Sequence, residues 1–185
     1  MIRFTRKLAP VLFSDVVATS ERVAATRSRR EKVRLLAAAL SAADTDVGTV
    51  AAYLSGTMPQ GRVGVGWRST ASLPTPSPTA RLTVRAVDAA LDRLVSLAGP
   101  GSSSRRSAEL ESLFAAATDV EQRALRALLT GEWRQGASEG LMVQAIAASS
   151  GVDEALVRRA LMFTGTVQPV AVAARAGGAA ALADV

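Results

Sequence analysis

The sequence contains no cysteine and no histidine, and only 4% of its 185 residues are aromatic. The absence of cysteine and histidine excludes disulfides, thiol nucleophiles and imidazole bases, and it removes the usual zinc ligands. Most enzyme mechanisms therefore lack their central residue in this chain. The scarcity of aromatic residues, together with abundant alanine and leucine, favours closely packed helices over sheet.

Long apolar runs are also absent. The apolar stretch 8–13 follows Arg3, Arg6 and Lys7, as in a signal peptide, but Ser14 and Asp15 interrupt it. It is too short for the apolar core of a signal peptide and far short of the roughly 18 residues of a membrane span. We therefore expect a cytoplasmic protein without membrane contact.

The net charge of +6 is concentrated at the N-terminal end. Residues 1–34 hold nine basic against three acidic residues, whereas 35–100 and 101–185 are each close to neutral. Lys7 and Lys32 are the only lysines among the 22 basic residues, and the arginine fork suits bidentate phosphate contacts. A genome that prefers arginine codons would produce the same bias, so arginine content alone does not indicate an anionic partner.

Apolar residues at helical spacing, separated by caps and Gly/Pro breaks, predict an all-α fold. We expect a compact bundle of about nine to ten helices without sheet. The predicted helices are 11–25, 29–43, 46–54, 79–97, 104–117, 118–129, 138–149 and 153–163, with weaker candidates at 167–174 and 179–183. The segment 55–78 is rich in Gly and Pro and is predicted to be a loop. The clearest helix start is the capping box that runs from Thr118 to Glu121.

Short motifs recur in the same order at an offset of 72 to 76 residues. The pairs are Ser28-Arg29-Arg30 with Ser104-Arg105-Arg106, Thr45-Asp46-Val47 with Thr118-Asp119-Val120, Tyr53-Leu54-Ser55-Gly56 with Leu128-Leu129-Thr130-Gly131, and Arg62-Val63-Gly64 with Arg134-Gln135-Gly136. Matches this short also arise by chance. A true repeat predicts two similar helical units, 11–78 and 79–185, each with a basic helix start and an Arg-x-Gly turn.

Two glycine-rich turns are candidate anion sites. In 131–139 a small-residue turn precedes a helix start, where backbone N–H groups carry partial positive charge, and Arg134 adds a full charge. The segment 61–68 has the same ingredients, but it follows no strand and lacks the Gly-Lys-Ser/Thr of a nucleotide-binding loop. Two equivalent turns on one face would suit two strands across a groove. Ordinary helix corners with left-handed glycines are the alternative.

The basic run 27–34 lies at a predicted helix N-terminus. Positive charge there opposes the helix dipole, at a cost of a few tenths to about 1 kcal/mol per charge. A bound phosphate would remove this cost, and a solvated basic face is the alternative. Trp67 and Trp133 offer stacking surfaces for sugars or bases, although a tryptophan near a helix end more often fills a core edge.

These segments resemble the N-terminal DNA-binding domain of ATP-dependent DNA ligases. The resemblance covers nearly all of the chain after about Val11. It is carried by Leu12-Phe13-Ser14-Asp15-Val16, 25–32, Tyr53-Leu54-Ser55-Gly56, Gly64-Val65-Gly66-Trp67, 101–106, Leu113-Phe114, 128–136 and Met162-Phe163-Thr164-Gly165. The sequence departs from the family at Gln135, where a branched apolar residue is frequent.

The resemblance implies an N-terminal extension, 1–10, followed by a ligase-type domain, 11–185, that docks across the minor groove. The domain would contact phosphates of both strands of double-stranded, nicked DNA without reading sequence, and so support nick sealing in DNA repair and replication. The implied contacts are Thr26, Arg27, Arg29, Arg30, Lys32, Gly64, Gly66, Ser104, Arg105, Arg106, Arg134, Gln135, Gly136, Ala137 and Ser138. The implied partners are nicked duplex DNA and the catalytic domains of the same parent ligase, and we expect a monomer associated with the nucleoid.

The catalytic motif of the family is not found among these 185 residues. Family members form a covalent AMP adduct on the lysine of Lys-x-Asp-Gly, and neither Lys7 nor Lys32 lies in such a motif. We therefore expect a non-catalytic chain without cofactor or metal. ATP and Mg²⁺ would belong to the catalytic domains, an adenylation and an OB domain, that this chain lacks.

Two other functions are compatible with a basic helical chain. One is a helix-turn-helix regulator whose helix 138–149 enters the major groove, although Gln144 is the only residue there suited to base edges. The other is a helical protein-interaction scaffold whose arginines only cover its surface.

Overall fold

A computed structural model describes residues 9–70, 72–133 and 136–185, and these contain nine α-helices and no β-strand. The helices are α1 Phe13–Ala25, α2 Arg29–Ala42, α3 Val47–Leu54, α4 Val84–Ser96, α5 Ser102–Ala116, α6 Asp119–Thr130, α7 Glu139–Ser150, α8 Glu154–Thr164 and α9 Val167–Ala183. Two 3₁₀ turns, Asp44–Asp46 and Trp67–Thr70, lie before α3 and in the long loop. The predicted all-α bundle is confirmed.

One continuous cluster of buried apolar side chains runs through all nine helices. Helix α2 packs against α1, α3 and α7, and α9 packs against α3, α7 and α8. Helix α4 pairs with α5 and also contacts α3, while α6 contacts α1. The predicted units 11–78 and 79–185 therefore share one core, and their division into sub-units stays a prediction.

The start of α6 has the predicted capping box. The Thr118 hydroxyl accepts from the Glu121 N–H at 3.4 Å, and the Glu121 carboxylate accepts from the Thr118 N–H at 2.8 Å. The helix ends at Thr130, where Gly131 takes a left-handed conformation with φ +75°. Such caps depend only on residues within one turn, which is why the sequence predicts them.

Helix α4 begins at Val84, five residues later than predicted. Thr83 is its N-cap, and the Thr83 hydroxyl accepts from the Ala86 N–H at 3.1 Å. The backbone before it pairs instead with the chain ahead of α1: the Val84 N–H donates to the Val11 carbonyl at 2.9 Å. Local periodicity carries no information about this pairing, which is why the predicted helix was too long.

The two weak C-terminal candidates, 167–174 and 179–183, are both helical, and they lie on either side of a kink within α9. The kink is at Gly178, with φ 59° and ψ −136°. A conformation of this kind is open to glycine and strained for other residues, so the Gly177-Gly178 pair marks the break.

No single helix among the described residues is long and apolar enough to cross a membrane. Arg29–Ala42 and Asp44–Leu54 together meet the length and composition of a span, but they are bent by 118° relative to each other.

Candidate nucleic-acid interface

The basic start of α2 is fixed by two short-range hydrogen bonds. The Thr26 hydroxyl accepts from the Ser28 N–H, and the Ser28 hydroxyl, as N-cap, accepts from the Glu31 N–H, both at 3.2 Å. Glu31 also pairs with Arg34 at 2.6 Å, and this hydrogen bond lowers the pKa of the Glu31 carboxyl. The helix start therefore has a defined backbone path, and Arg34 is already paired.

Arg27, Arg29 and Arg30 at this start are exposed. Within the described residues none of them forms an ion pair. Their charge opposes the helix dipole, because the N-terminal end of a helix already carries partial positive charge. An anion bound here would offset both the charge of the arginines and the partial positive charge of the helix end.

The start of α2 lies beside the turn that leads into α7. Lys32 Nζ donates to the Gly136 carbonyl oxygen at 3.4 Å. The Arg29 guanidinium approaches Gly140 in the first turn of α7, where a Cβ atom would lie 3.6 Å from Nη2. Ser138 is the N-cap of α7, but its hydroxyl makes no capping hydrogen bond. Helix-start N–H groups thus lie next to cationic side chains, a geometry that suits anions.

A second basic helix start, that of α5, meets the other glycine turn. Arg106 donates from Nη2 to the Val63 carbonyl oxygen. The same guanidinium donates from Nη1 to the carbonyl oxygen of Leu94, in the last turn of α4. Arg106 thus joins the glycine turn, α4 and α5.

Burial alternates along this turn. Val63 and Val65 are buried, whereas Gly64 and Gly66 are exposed. Gly64 has φ +69°, and a Cβ atom at this position would lie 3.2 Å from Arg106 Nη2. The valines anchor the turn in the core, and the glycines leave its outer backbone open to a ligand.

The neighbouring residues of the α5 start contact the loop between α4 and α5. Arg105 Nη2 donates to the carbonyl oxygens of Ala98 at 3.0 Å and Pro100 at 3.4 Å. Ser104 and Arg105 are both exposed. These contacts hold the α5 start against the loop without burying its charge.

The two basic starts and the two turns are arranged reciprocally. At α2, Lys32, two residues after Ser28-Arg29-Arg30, contacts the turn of the second copy, and at α5 Arg106 contacts the turn of the first. Gly56, just after α3, lies against the second turn, because a Cβ atom on Gly56 would lie 2.8 Å from the Trp133 carbonyl oxygen. Residues of both turns line a cleft of about 720 Å³. The fold thus brings each basic helix start next to a glycine turn that is distant from it in sequence.

Some predicted site residues lie outside the described residues. These are Arg134, Gln135 and the side chain of Trp67, and their roles stay predictions. Ala137 is half-buried beside Gly136. Trp133 is half-buried with its ring centroid 6.4 Å from that of Phe13, so it fills the edge of the core.

Three residues of this surface were not predicted from the sequence. Val63 and Leu94 take part through their carbonyl oxygens, which leave no signal in the residue types. Gly140 leaves no clear signal either, because a Cβ atom at this position would lie at the ordinary van der Waals distance of 3.6 Å from Arg29 Nη2.

Helix α7 is the element that a helix-turn-helix regulator would insert into the major groove. Six of its 12 residues are buried, and it packs against α2, α8 and α9. The Gln144 amide nitrogen lies 3.3 Å from a carboxylate oxygen of Glu154. Because α7 is a core helix with its one base-reading candidate already bonded, its placement does not favour the regulator.

Comparison with known proteins agrees with the resemblance seen in the sequence. Residues 66–147 match the family model described as DNA ligase N terminus. Probable DNA ligases of Streptomyces griseus and Nocardia farcinica are each 48% identical to the chain, over 175 and 176 residues. A probable DNA ligase of Kineococcus radiotolerans is also 48% identical, over 177 residues.

These alignments cover 94% of the chain and 34–35% of each relative, so the chain spans about a third of the length of the curated relatives it matches. The resemblance to the N-terminal domain of DNA ligases is thus confirmed. The chain is similar to these ligases over nearly all of its length.

Proposed function

We propose that this chain binds double-stranded DNA through the sugar-phosphate backbone, without reading sequence, as the N-terminal domain of an ATP-dependent DNA ligase. The observation that carries the proposal is the reciprocal pairing of the two basic helix starts with the two glycine turns. Each pair combines exposed arginines with backbone N–H groups, which are the donors that proteins use for phosphates. Two such pairs would hold one strand each across the minor groove.

The chemistry of these donors favours backbone contacts over base reading. Exposed residues of the two pairs are arginine, serine and glycine, together with the two glutamates Glu132 and Glu139, and α7 offers no exposed helix face for the major groove. Backbone N–H groups and serine hydroxyls bind phosphate oxygens without discriminating among bases. The predicted contacts therefore form one sequence-independent surface, to which Arg134 and Gln135 are proposed to belong.

A salt titration tests the proposal. Fluorescence anisotropy of a labelled nicked duplex should show log affinity falling linearly with log salt, with a slope of about −0.9 per phosphate neutralised. Two duplexes of unrelated sequence should give the same affinity and the same slope. Binding that ignores salt, or that differs strongly between the two sequences, would contradict backbone recognition.

Single charge-removing variants locate the surface. Arg29→Gln and Arg30→Gln should each weaken binding to both duplexes alike and reduce the slope by about 1. Arg134→Ala should do the same. Arg158→Gln is the matched control, since it removes one positive charge from α8, where Arg158 pairs with Glu154. Equal effects of Arg30→Gln and Arg158→Gln would mean that only net charge matters.

The remaining features of the proposal rest on the resemblance to ATP-dependent DNA ligases. The parent protein would be the enzyme, with nick sealing performed by further domains that use ATP and Mg²⁺. Among the described residues no group of three or more metal-ligating side chains lies together, and we propose that this domain needs no cofactor. We further propose that it acts as a monomer on chromosomal DNA in the cytoplasm, which size measurement of the free and DNA-bound chain would check.

A further inference from the structure

We propose that Arg106 is a positioning residue for DNA binding, which fixes the Gly64 turn so that its backbone N–H faces the phosphate, instead of neutralising a phosphate itself. The inference rests on the proposed function and assigns this arginine a different role from its neighbours. It starts from the observation that both terminal nitrogens of Arg106 already donate to carbonyl oxygens of the chain, those of Val63 and Leu94.

The bond to Val63 determines the orientation of one peptide group. In a planar trans peptide the carbonyl and the following N–H point in opposite directions. Because the Val63 carbonyl points toward Arg106, the N–H of Gly64 points away from α5. Within the described residues this N–H has no hydrogen-bond partner, and Gly64 is exposed. Arg106 therefore directs an unused donor outward.

The bond to Leu94 explains why an arginine suits this position. Carbonyl oxygens in the last turn of α4 carry partial negative charge, which favours a cation. The planar fork of arginine donates to that turn and to Val63 at the same time, from two nitrogens held in one plane. Lysine keeps the charge but has a single nitrogen, so it would not hold both carbonyls in the same geometry.

The other glycine turn has a parallel contact, in which Lys32 donates to the Gly136 carbonyl at 3.4 Å. By the same peptide geometry the N–H of Ala137 faces away from Lys32. Arg30 differs from Arg106, because Arg30 is exposed and forms no ion pair within the described residues. Arg30 corresponds to Arg106 in the repeat, and this makes the two positions a matched pair for experiment.

The experiment compares Arg106→Lys and Arg106→Gln with Arg30→Lys and Arg30→Gln in the full chain, using a nicked duplex over a salt series. Arg106→Lys should weaken binding about tenfold with an unchanged salt slope, as for the loss of a charge-assisted hydrogen bond. Arg30→Lys should bind within about twofold of wild type, because a phosphate contact needs mainly the charge, and Arg30→Gln should reduce the slope by about 1.

A second readout needs no DNA. The ¹H–¹⁵N heteronuclear NOE of Gly64 and Gly66 should fall in Arg106→Lys and stay at the wild-type level in Arg30→Lys, since only the former releases the turn on the fast timescale that this NOE reports. Thermal unfolding of each variant is the control that checks whether it is folded. If Arg106→Gln does not fold, Arg106→Lys, which keeps the cation beside α4, decides the question alone.

Two results would overturn the inference while the proposed function stands. In the first, Arg106→Lys binds with wild-type affinity and Arg106→Gln reduces the salt slope by about 1, which would make Arg106 a phosphate contact. In the second, the NOE of Gly64 and Gly66 is unchanged in both Arg106 variants. A wild-type chain that binds no duplex would instead contradict the proposed function and the positioning role with it.

Discussion

At the scale of single residues, Tyr53 shows how burial changes an ionisable group. It is the only tyrosine of the chain and is fully buried, with its ring 6.0 Å from that of Phe13 in an edge-to-face contact. Burial, and to a smaller extent the nearby carboxylates of Asp88 and Asp92, raises the pKa of its hydroxyl above the ordinary value of about 10. The folded protein therefore holds Tyr53 in its neutral form.

This raised pKa predicts a loss of stability in alkali. Below pH of about 10 both the folded and the unfolded chain keep the proton, and the stabilisation is fully present. As the pH rises further, only the unfolded chain releases the proton, so the free energy of unfolding falls. Tyrosinate absorbance should therefore show no titration of the native protein near pH of about 10, and should appear together with loss of helical circular dichroism.

The control for this prediction is Tyr53→Phe, which lacks the hydroxyl. Relative to its own stability at neutral pH, it should lose less of its unfolding free energy in alkali than wild type. Tyrosinate that forms near pH of about 10 while the helical signal stays intact would show that the hydroxyl is not shielded as the structure indicates.

Residue types predicted which residues belong to part of the candidate site, but they did not predict the different roles of the two arginines Arg30 and Arg106. The left-handed conformations of Gly64 and Gly136 follow from small residues at turns. Whether an arginine in a Ser-Arg-Arg start faces solvent, as Arg30 does, or donates to distant carbonyls, as Arg106 does, depends on helices far away in sequence. The sequence motif is the same in both places.

At the scale of elements, helix starts differ in what their N-cap residue does. Thr118 forms a complete capping box at α6, whereas the Ser138 hydroxyl makes no capping bond at α7. Both residues are good N-caps by type. The difference suggests that Thr118 stabilises its helix and that Ser138 leaves the α7 start open to an anion.

Thr118→Ala and Ser138→Ala form a matched pair that tests this difference. Thr118→Ala should lower the free energy of unfolding by about 1 kcal/mol, the usual effect of losing a capping side chain, and leave the affinity for a nicked duplex unchanged. Ser138→Ala should leave chemical denaturation unchanged within about 0.5 kcal/mol and weaken duplex binding. Urea denaturation and anisotropy titrations measure the two effects.

The reverse pattern would contradict the assignment. A large loss of stability in Ser138→Ala would mean that its hydroxyl supports the helix, and unchanged binding would remove it from the interface.

Helix starts fixed by local capping bonds, such as that of Thr118, were predicted from the sequence to within a few residues. The start of α4 was predicted less well: its Thr83 cap is local, but the pairing of Val84 with Val11, which keeps the preceding residues out of the helix, is not.

At the scale of the whole molecule, packing between distant helices determines which basic helix start lies beside which glycine turn. The sequence predicted two copies with the same parts, but it did not predict that each basic start would contact the turn of the other copy. That exchange requires α2 to pack against α7, which are distant in sequence and belong to different copies. Because the parts are shared in this way, each half of the interface depends on both copies.

A reciprocal arrangement of this kind predicts contacts on both strands of the duplex. Hydroxyl-radical footprinting of a nicked duplex should show protection on each strand, because each pair of basic start and turn would hold one strand. Neutralising the α2 start, with Arg27→Gln, Arg29→Gln and Arg30→Gln combined, should remove protection from one strand and keep it on the other.

Changes at the α5 start, or at the Gly64 turn that it contacts, should remove protection from the strand that stays protected in the α2 variant. Gly64→Ala strains a left-handed residue and crowds the Arg106 guanidinium at 3.2 Å, so it should remove protection mainly from the strand that the α2 variant leaves protected. Gly151→Ala is its control, since Gly151 has a similar φ of +66° with nothing within 4 Å of the added atom. If the α2 variant and Gly64→Ala lose protection on the same strand, the two pairs of basic start and turn act as one contact. The packing of each basic start against the distant turn would then stabilise the fold and would not place one pair on each strand.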